Sequence, residues 1–348
     1  MKPIYKNIYY MLSYAFQVLN EGEYRKIETE KFENTAELMA AILCIGVSKQ
    51  IKRGLQRAYI EETEALSAPK GKIDISTSIK AMTIQKKQLV CTYDDFSVNS
   101  YQNRIIKTTL SELLKADISK DRKKQIKKLL VYFCDIEVLD KHTINWRQHF
   151  DRNNQTYYML IAVCNMILKG LLQTQADGSI KMQDFFDEQK MHALYEKFIL
   201  EYYKKEYKGK LNASASFINW DLEPGSSDFM LPAMKSDIML SSGNHVLIID
   251  AKYYSRTTQV QFDKNTIHSA NLYQIFAYVK NKDAEFGSEI HEVSGMLLYA
   301  KTDEEIQPNS EYRMGGNKIT VRTLDLNQEF SRIKDQLNGI IQEHFGMI

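Results

Sequence analysis

Val246-Leu247-Ile248-Ile249 is an unbroken aliphatic run that ends in Asp250-Ala251-Lys252. Four apolar residues in succession fit a strand covered on both faces, as at the centre of a sheet. Charged side chains at the end of such a strand carry a desolvation cost, so they call for a chemical reason. Just upstream lies a second strand-like segment, Ser236-Asp237-Ile238-Met239-Leu240, followed by Ser241-Ser242-Gly243-Asn244. A glycine-containing turn between two such segments predicts a β-hairpin. The register expected for a symmetric turn puts Asp237 opposite Ile248 and diagonal to Asp250. Alternation along the strands leaves Asp237, Asp250 and Lys252 on one face.

Two carboxylates at that spacing can reach one ion between them. Water plus one or two carboxylates is the habit of a hard cation such as Mg²⁺, and no soft ligand is needed. Such an ion lowers the pKa of a bound water and stabilises charge on a phosphoryl group, while a lysine beside it positions or polarises the nucleophile. The expected chemistry is phosphodiester hydrolysis. The ordinary alternative is a solvated ion pair at a strand end, because Asp-x-Lys recurs by chance. A helix expected from His268 to Lys280 adds weight, since Asn271, Gln274 and Tyr278 share one of its faces.

The pair of acids, Asp250-Ala251-Lys252 and the helix after them resemble the PD-(D/E)xK nuclease superfamily. Gln274 and Tyr278 match the Q-x-x-x-Y helix that many members carry. The superfamily's proline before the first acid is replaced here, since Lys235-Ser236 precedes Asp237. An earlier helix often supplies a glutamate, and Glu196 in Leu194-Tyr195-Glu196-Lys197-Phe198 is the candidate.

A closer resemblance rests on four motifs. Asn7-Ile8-Tyr9-Tyr10-Met11-Leu12, Gly71-Lys72-Ile73-Asp74, Asn103-Arg104-Ile105-Ile106-Lys107 and Asp250-Ala251-Lys252-Tyr253-Tyr254 follow the order and spacing of the McrC family. These are the nuclease subunits of McrBC modification-dependent restriction systems. The likeness implies an α/β chain with a mixed α+β N-terminal domain and a restriction-endonuclease-like C-terminal domain. It implies Mg²⁺-dependent cleavage by Asp237, Asp250, Lys252, Glu196 and Gln274, with Asp237, Asp250 and Glu196 as metal ligands. It also implies that the N-terminal domain docks into a McrB-like hexameric AAA+ GTPase and stimulates it. The substrate would be double-stranded DNA containing modified cytosine. Two readings stay open beside this one: a noncatalytic adaptor that activates a GTPase ring, and a nuclease of another defence system.

With 348 residues the chain exceeds one ordinary domain. A boundary is expected at the Asp177-Gly178 turn signal, giving domains 1–178 and 179–348. Apolar spacing predicts helices over Ile4 to Leu19, Leu38 to Ile51, Arg104 to Leu114, Arg122 to Phe133, Tyr157 to Leu172, Asp184 to Tyr207, and up to His344. Strands are expected at Ile73 to Ile75, Leu89 to Tyr93, Ala213 to Trp220, Met234 to Leu240, His245 to Ala251, Val293 to Ala300 and Ile319 to Leu324.

Several classes are disfavoured. A net charge of +2 gives no global field for holding a polyanion, so DNA contacts must be local. Lys49, Lys52, Arg53 and Arg57 could reach an anionic partner or a phosphate, although the polar side of a helix is their simpler role. The four cysteines form no CxxC pair, and the histidines show no HExxH spacing, which disfavours zinc and points to a reducing cytoplasm. No apolar stretch reaches the ~20 residues of a membrane span. There is no G-x-x-x-x-G-K-[ST] phosphate loop, so GTP is expected to bind the partner.

Overall fold

The computed structural model describes residues 3–16, 19, 24, 27, 30, 32, 34–150, 154–176, 188–254, 257–261 and 264–346. The Asp177-Gly178 turn, and the first residues of the helix expected from Asp184, lie outside them. The chain divides into two compact units, one of residues 33–185 and one of residues 1–32 with 186–348. The sequence boundary assigns the first 32 residues to the N-terminal domain, whereas they pack with the C-terminal unit. The reason lies in contacts distant in sequence. Helix α1 (Pro3–Ala15) places Asn7 where its Nδ2 donates to the carbonyls of Leu326 and Gln328, at 2.6 and 2.7 Å. Tyr10 stacks on Phe330 with centroids 4.3 Å apart, and the Tyr14 hydroxyl donates to Glu206 at 2.6 Å.

The 33–185 unit begins with α2 (Thr35–Arg53), capped by the Asn34 side chain, which accepts from Glu37 N. Three strands follow, β1 (Ala58–Leu66), β2 (Lys72–Asp74) and β3 (Leu89–Ser97), with the short helix α3 (Ile75–Lys80) between the last two. They form an antiparallel sheet in the order β1-β3-β2. Strand β1 escapes the sequence reading because glutamates occupy many of its positions, and Ile75 begins a helix rather than ending a strand. Helices α4 (Tyr101–Leu113), α5 (Lys120–Leu130) and α6 (Gln155–Ala176) complete the unit. Asn103 ties it together. Its Nδ2 donates to the carbonyls of Gln56 and Val98, and its Oδ1 accepts from the Tyr157 hydroxyl. In α5 the exposed lysines leave Arg122 buried, paired with Glu37 of α2 at 3.1 Å.

The other unit continues with α7 (Glu188–Glu206), β4 (Asn212–Ser214), β5 (Phe217–Ile218), β6 (Met234–Lys235), β7 (Ile238–Ser242) and β8 (His245–Lys252). Then come β9 (Thr258–Gln261), β10 (Lys264–Ile267), α8 (Ser269–Ala284), β11 (Glu292–Ala300), β12 (Ser310–Met314), β13 (Asn317–Leu324) and α9 (Phe330–Phe345). Six strands form one sheet in the order β12-β13-β11-β8-β7-β4. The central trio β8, β11 and β13 runs parallel, and the remaining pairings are antiparallel. Joining β8 to a parallel neighbour requires a crossover, which α8 provides.

Helix α8 lies on the face that carries Val246, Ile248, Leu297, Tyr299, Ile319 and Val321. Gly295 permits the close approach, because a Cβ there would fall 2.7 Å from Val279 and 2.9 Å from Ile275. Helix α9 packs on the opposite face, where His344 Nδ1 lies 3.3 Å from Ser294 Oγ. Among the described residues no helix is long and apolar enough to cross a membrane.

Candidate active site

The β7/β8 hairpin turns tightly through Gly243 and Asn244, with Ser242 paired to His245. Gly243 adopts φ +58°, a left-handed conformation that glycine takes without a Cβ penalty. The ladder runs to Ile238 opposite Ile249. One step further, Asp237 therefore faces Asp250 rather than Ile248. This corrects the expected register by two residues. Because side chains alternate with period two, a two-residue shift changes the neighbour and preserves the face. Continued by one residue, that register sets Asp237 opposite Asp250, and Lys252 still shares their side.

Asp250 is 1 % exposed, and its carboxylate lies against the Asp237 carboxyl and the Lys252 ammonium. Its charge is answered by Lys252, whose Nζ lies 2.9 Å from Oδ2. Asp237 is less enclosed, and its Oδ2 accepts the Ala251 backbone N–H at 3.0 Å. Burial, then the charges of Asp250 and Glu196, push the Asp237 carboxyl up to about 8, against a smaller opposing pull from Lys252. Lys252 is itself buried, which favours its neutral form. The adjacent Asp250 outweighs that, and the ammonium is held above its ordinary range.

Gln274 on α8 reaches the lysine, its Oε1 3.4 Å from Lys252 Nζ, while its Nε2 donates to the Tyr278 hydroxyl at 2.9 Å. The i, i+4 spacing of Gln274 and Tyr278 thus becomes a relay that orients an amide toward the cation. Glu196 on α7 is close enough to raise Asp237, and its Oε1 pairs with His192 Nδ1 at 2.6 Å. The five predicted residues converge at the C-terminal end of β8.

Sequence reasoning placed Asn271 on the face of Gln274 and Tyr278 but missed His192 and Tyr299. His192 stands four residues before Glu196, a spacing that was readable. Asn271 Nδ2 donates to the Tyr299 hydroxyl at 2.9 Å, and the Tyr254 hydroxyl donates to Asn271 Oδ1 at 3.4 Å. Tyr299 comes from β11, directly beside Lys252 in the ladder, and its role had no local signal.

Two features bear on a metal. A buried carboxylate answered by a lysine, beside a second carboxyl whose proton affinity is raised, suits a hard cation that brings its own waters. No group of three His, Cys, Asp or Glu side chains close enough to enclose an ion exists among the described residues. The fit is therefore to an ion held mainly by two acids.

Helix α7, the β7/β8 hairpin, helix α8 and strand β11 build a mixed α/β unit, and the acids sit where β7 begins and β8 ends. The chain belongs to the family of McrBC 5-methylcytosine restriction system components, whose family model matches residues 5–300. It is 30 % identical over 348 residues to the type IV methyl-directed restriction enzyme EcoKMcrBC of Escherichia coli (strain K12), covering 97 % of each chain. Among solved structures, a half-complex of Thermococcus gammatolerans McrB AAA+ hexamers with bound McrC is similar at 18 % identity, TM-score 0.46, over 90 % of this chain and 69 % of that one. The McrBC complex of the same organism is similar at 19 % identity, TM-score 0.40, over 58 % and 59 %.

Proposed function

We propose that this chain is the DNA-cleaving subunit of a methylcytosine-directed restriction complex and hydrolyses phosphodiester bonds with Mg²⁺. The observation that carries this reading is the close approach of the Asp237 and Asp250 carboxyls at the end of the hairpin, with Asp250 buried and paired with Lys252 at 2.9 Å. Asp237 and Asp250 would hold the cation, with Glu196 beside them. When bound, the ion supplies a more acidic water and stabilises charge on the phosphoryl group. Lys252 holds the attacking oxygen in place and offsets negative charge as the bond breaks. Gln274 keeps the lysine aimed, and Tyr278 keeps Gln274 aimed. The Asp237 carboxyl must lose its proton before it can bind the cation.

Membership in a restriction-system family supports a partner, and the resemblance in four motifs supports a hexameric AAA+ GTPase that binds the GTP. The substrate is double-stranded DNA carrying methylcytosine, met in the cytoplasm. The test combines the purified chain, the GTPase, GTP, Mg²⁺ and a methylcytosine-containing plasmid. Cleavage of that plasmid, sparing of an unmodified one, and loss of cutting in Asp250→Asn are expected. Wild-type cutting by Asp250→Asn would refute the site.

A further inference from the structure

The same end of the sheet carries a second polar recess. It has a volume of about 530 Å³ and is lined by Lys301, Gln307, Asn309, Arg322, Thr323 and Asp325. Its position relative to the acids follows from strand register. Tyr299 pairs with Lys252 in the β8/β11 ladder, and Lys301 follows two residues later. The Lys301 N–H donates to the Leu324 carbonyl at 3.0 Å, so the backbone is still in sheet geometry there. Alternation puts Lys301 on the face of Tyr299, Asp250 and Lys252. Strands ~4.8 Å apart, with a rise of ~3.3 Å per residue, set the Cα atoms of Lys252 and Lys301 roughly 8 Å from each other.

The Lys301 ammonium is held by one group, Asp325 Oδ2 at 2.7 Å, and its side chain is about half exposed. Asp325 keeps other partners, since it accepts from Gln328 Nε2 and from the Asn327 backbone N–H. Arg322 is committed to Asn309 and Glu343. Lys301 is the exposed member of this pair, so its ammonium can turn from Asp325 to another anion at small cost. Lysine, amide and hydroxyl groups in one recess are the set that contacts nucleic-acid phosphates.

We propose that this recess binds the DNA backbone, with Lys301 taking a phosphate of the strand being cut close to the scissile one. The inference rests on the nuclease reading above. Asp325 is then the resting partner of Lys301 and competes with the phosphate. That competition gives the two residues opposite signs.

The test is equilibrium binding of the full chain to a fluorescent DNA duplex over a range of salt, with Lys301→Ala, Lys301→Arg and Asp325→Asn. Lys301→Ala is expected to weaken binding several-fold and to reduce the log–log salt slope by about one. Lys301→Arg is expected to restore most of the affinity, and Asp325→Asn to tighten binding above wild type. Unchanged binding in Lys301→Ala, or weakening in both Lys301→Ala and Asp325→Asn, would overturn the proposal. Cleavage by the complete complex separates this from the nuclease reading. A wild-type complex that fails to cut sinks that reading, whereas a cutting complex whose KM ignores Lys301→Ala sinks only the recess.

Discussion

Asp237 is anchored by the backbone of Ala251, the residue between the second carboxylate and the lysine. The two acids are therefore fixed relative to each other by the sheet itself, before any cation arrives. Such preorganisation has a cost, visible in the raised Asp237 carboxyl.

Removing either charged member at the end of β8 should abolish cutting. Asp250→Asn and Lys252→Ala are each expected to lower the cleavage rate by ~10² to 10³ or more. Stimulation of the partner's GTPase should persist in both, because the substitutions lie in the nuclease unit. Parallel assays of plasmid cleavage and phosphate release check the separation.

Crowding of the acids should also register as stability. The folded-state Asp237 carboxyl is raised, so its contribution is complete below the ordinary 3.8 and is lost as pH rises to about 8. Relative to Asp237→Asn, the metal-free wild type is thus expected to lose thermal stability across that window. Melting temperatures of both proteins at several pH values, in a chelator, give the difference. A pH-independent difference would argue against the crowding.

Metal affinity should follow the same proton. Binding Mg²⁺ must displace it from Asp237, so affinity is expected to rise by up to about tenfold per pH unit below about 8, then level off. Calorimetry in buffers of different ionisation enthalpy would detect the released proton. No proton release at pH 6.5 would contradict the assignment.

The opening helix should be needed by the unit that holds the acids. Asn7→Ala leaves the Leu326 and Gln328 carbonyls without their donor and is expected to cost about 1–3 kcal/mol. A fragment of residues 186–348 should fold poorly alone and recover when residues 1–32 are fused to it. Fragment 33–185 should unfold cooperatively by itself. Denaturant titrations of the three proteins decide this.

What could be read from the sequence was local and periodic. The aliphatic run before Asp250 marked β8, and helical spacing marked α8 with Gln274 and Tyr278 on one face. Alternation put the two acids and Lys252 together even though the register was off by two, because parity survives that slip. Contacts with no local signature stayed hidden. Nothing near Asn7 announces Leu326, and nothing near Tyr299 announces Asn271. Strand β1 was obscured by its glutamates, which sit mostly at exposed or half-exposed positions.

The arrangement of the two units also orders events during synthesis. Residues 33–185 form an insertion between the first helix and the remainder of the unit that holds the acids. Emerging from a ribosome, that inserted body has all its strands and helices available while α1 still waits for Leu326, Gln328 and Phe330. The end of the sheet that gathers Asp237, Asp250 and Lys252 is completed only after β11 and β13 have been translated. A nascent chain therefore completes its inserted body early and the surroundings of the two acids late.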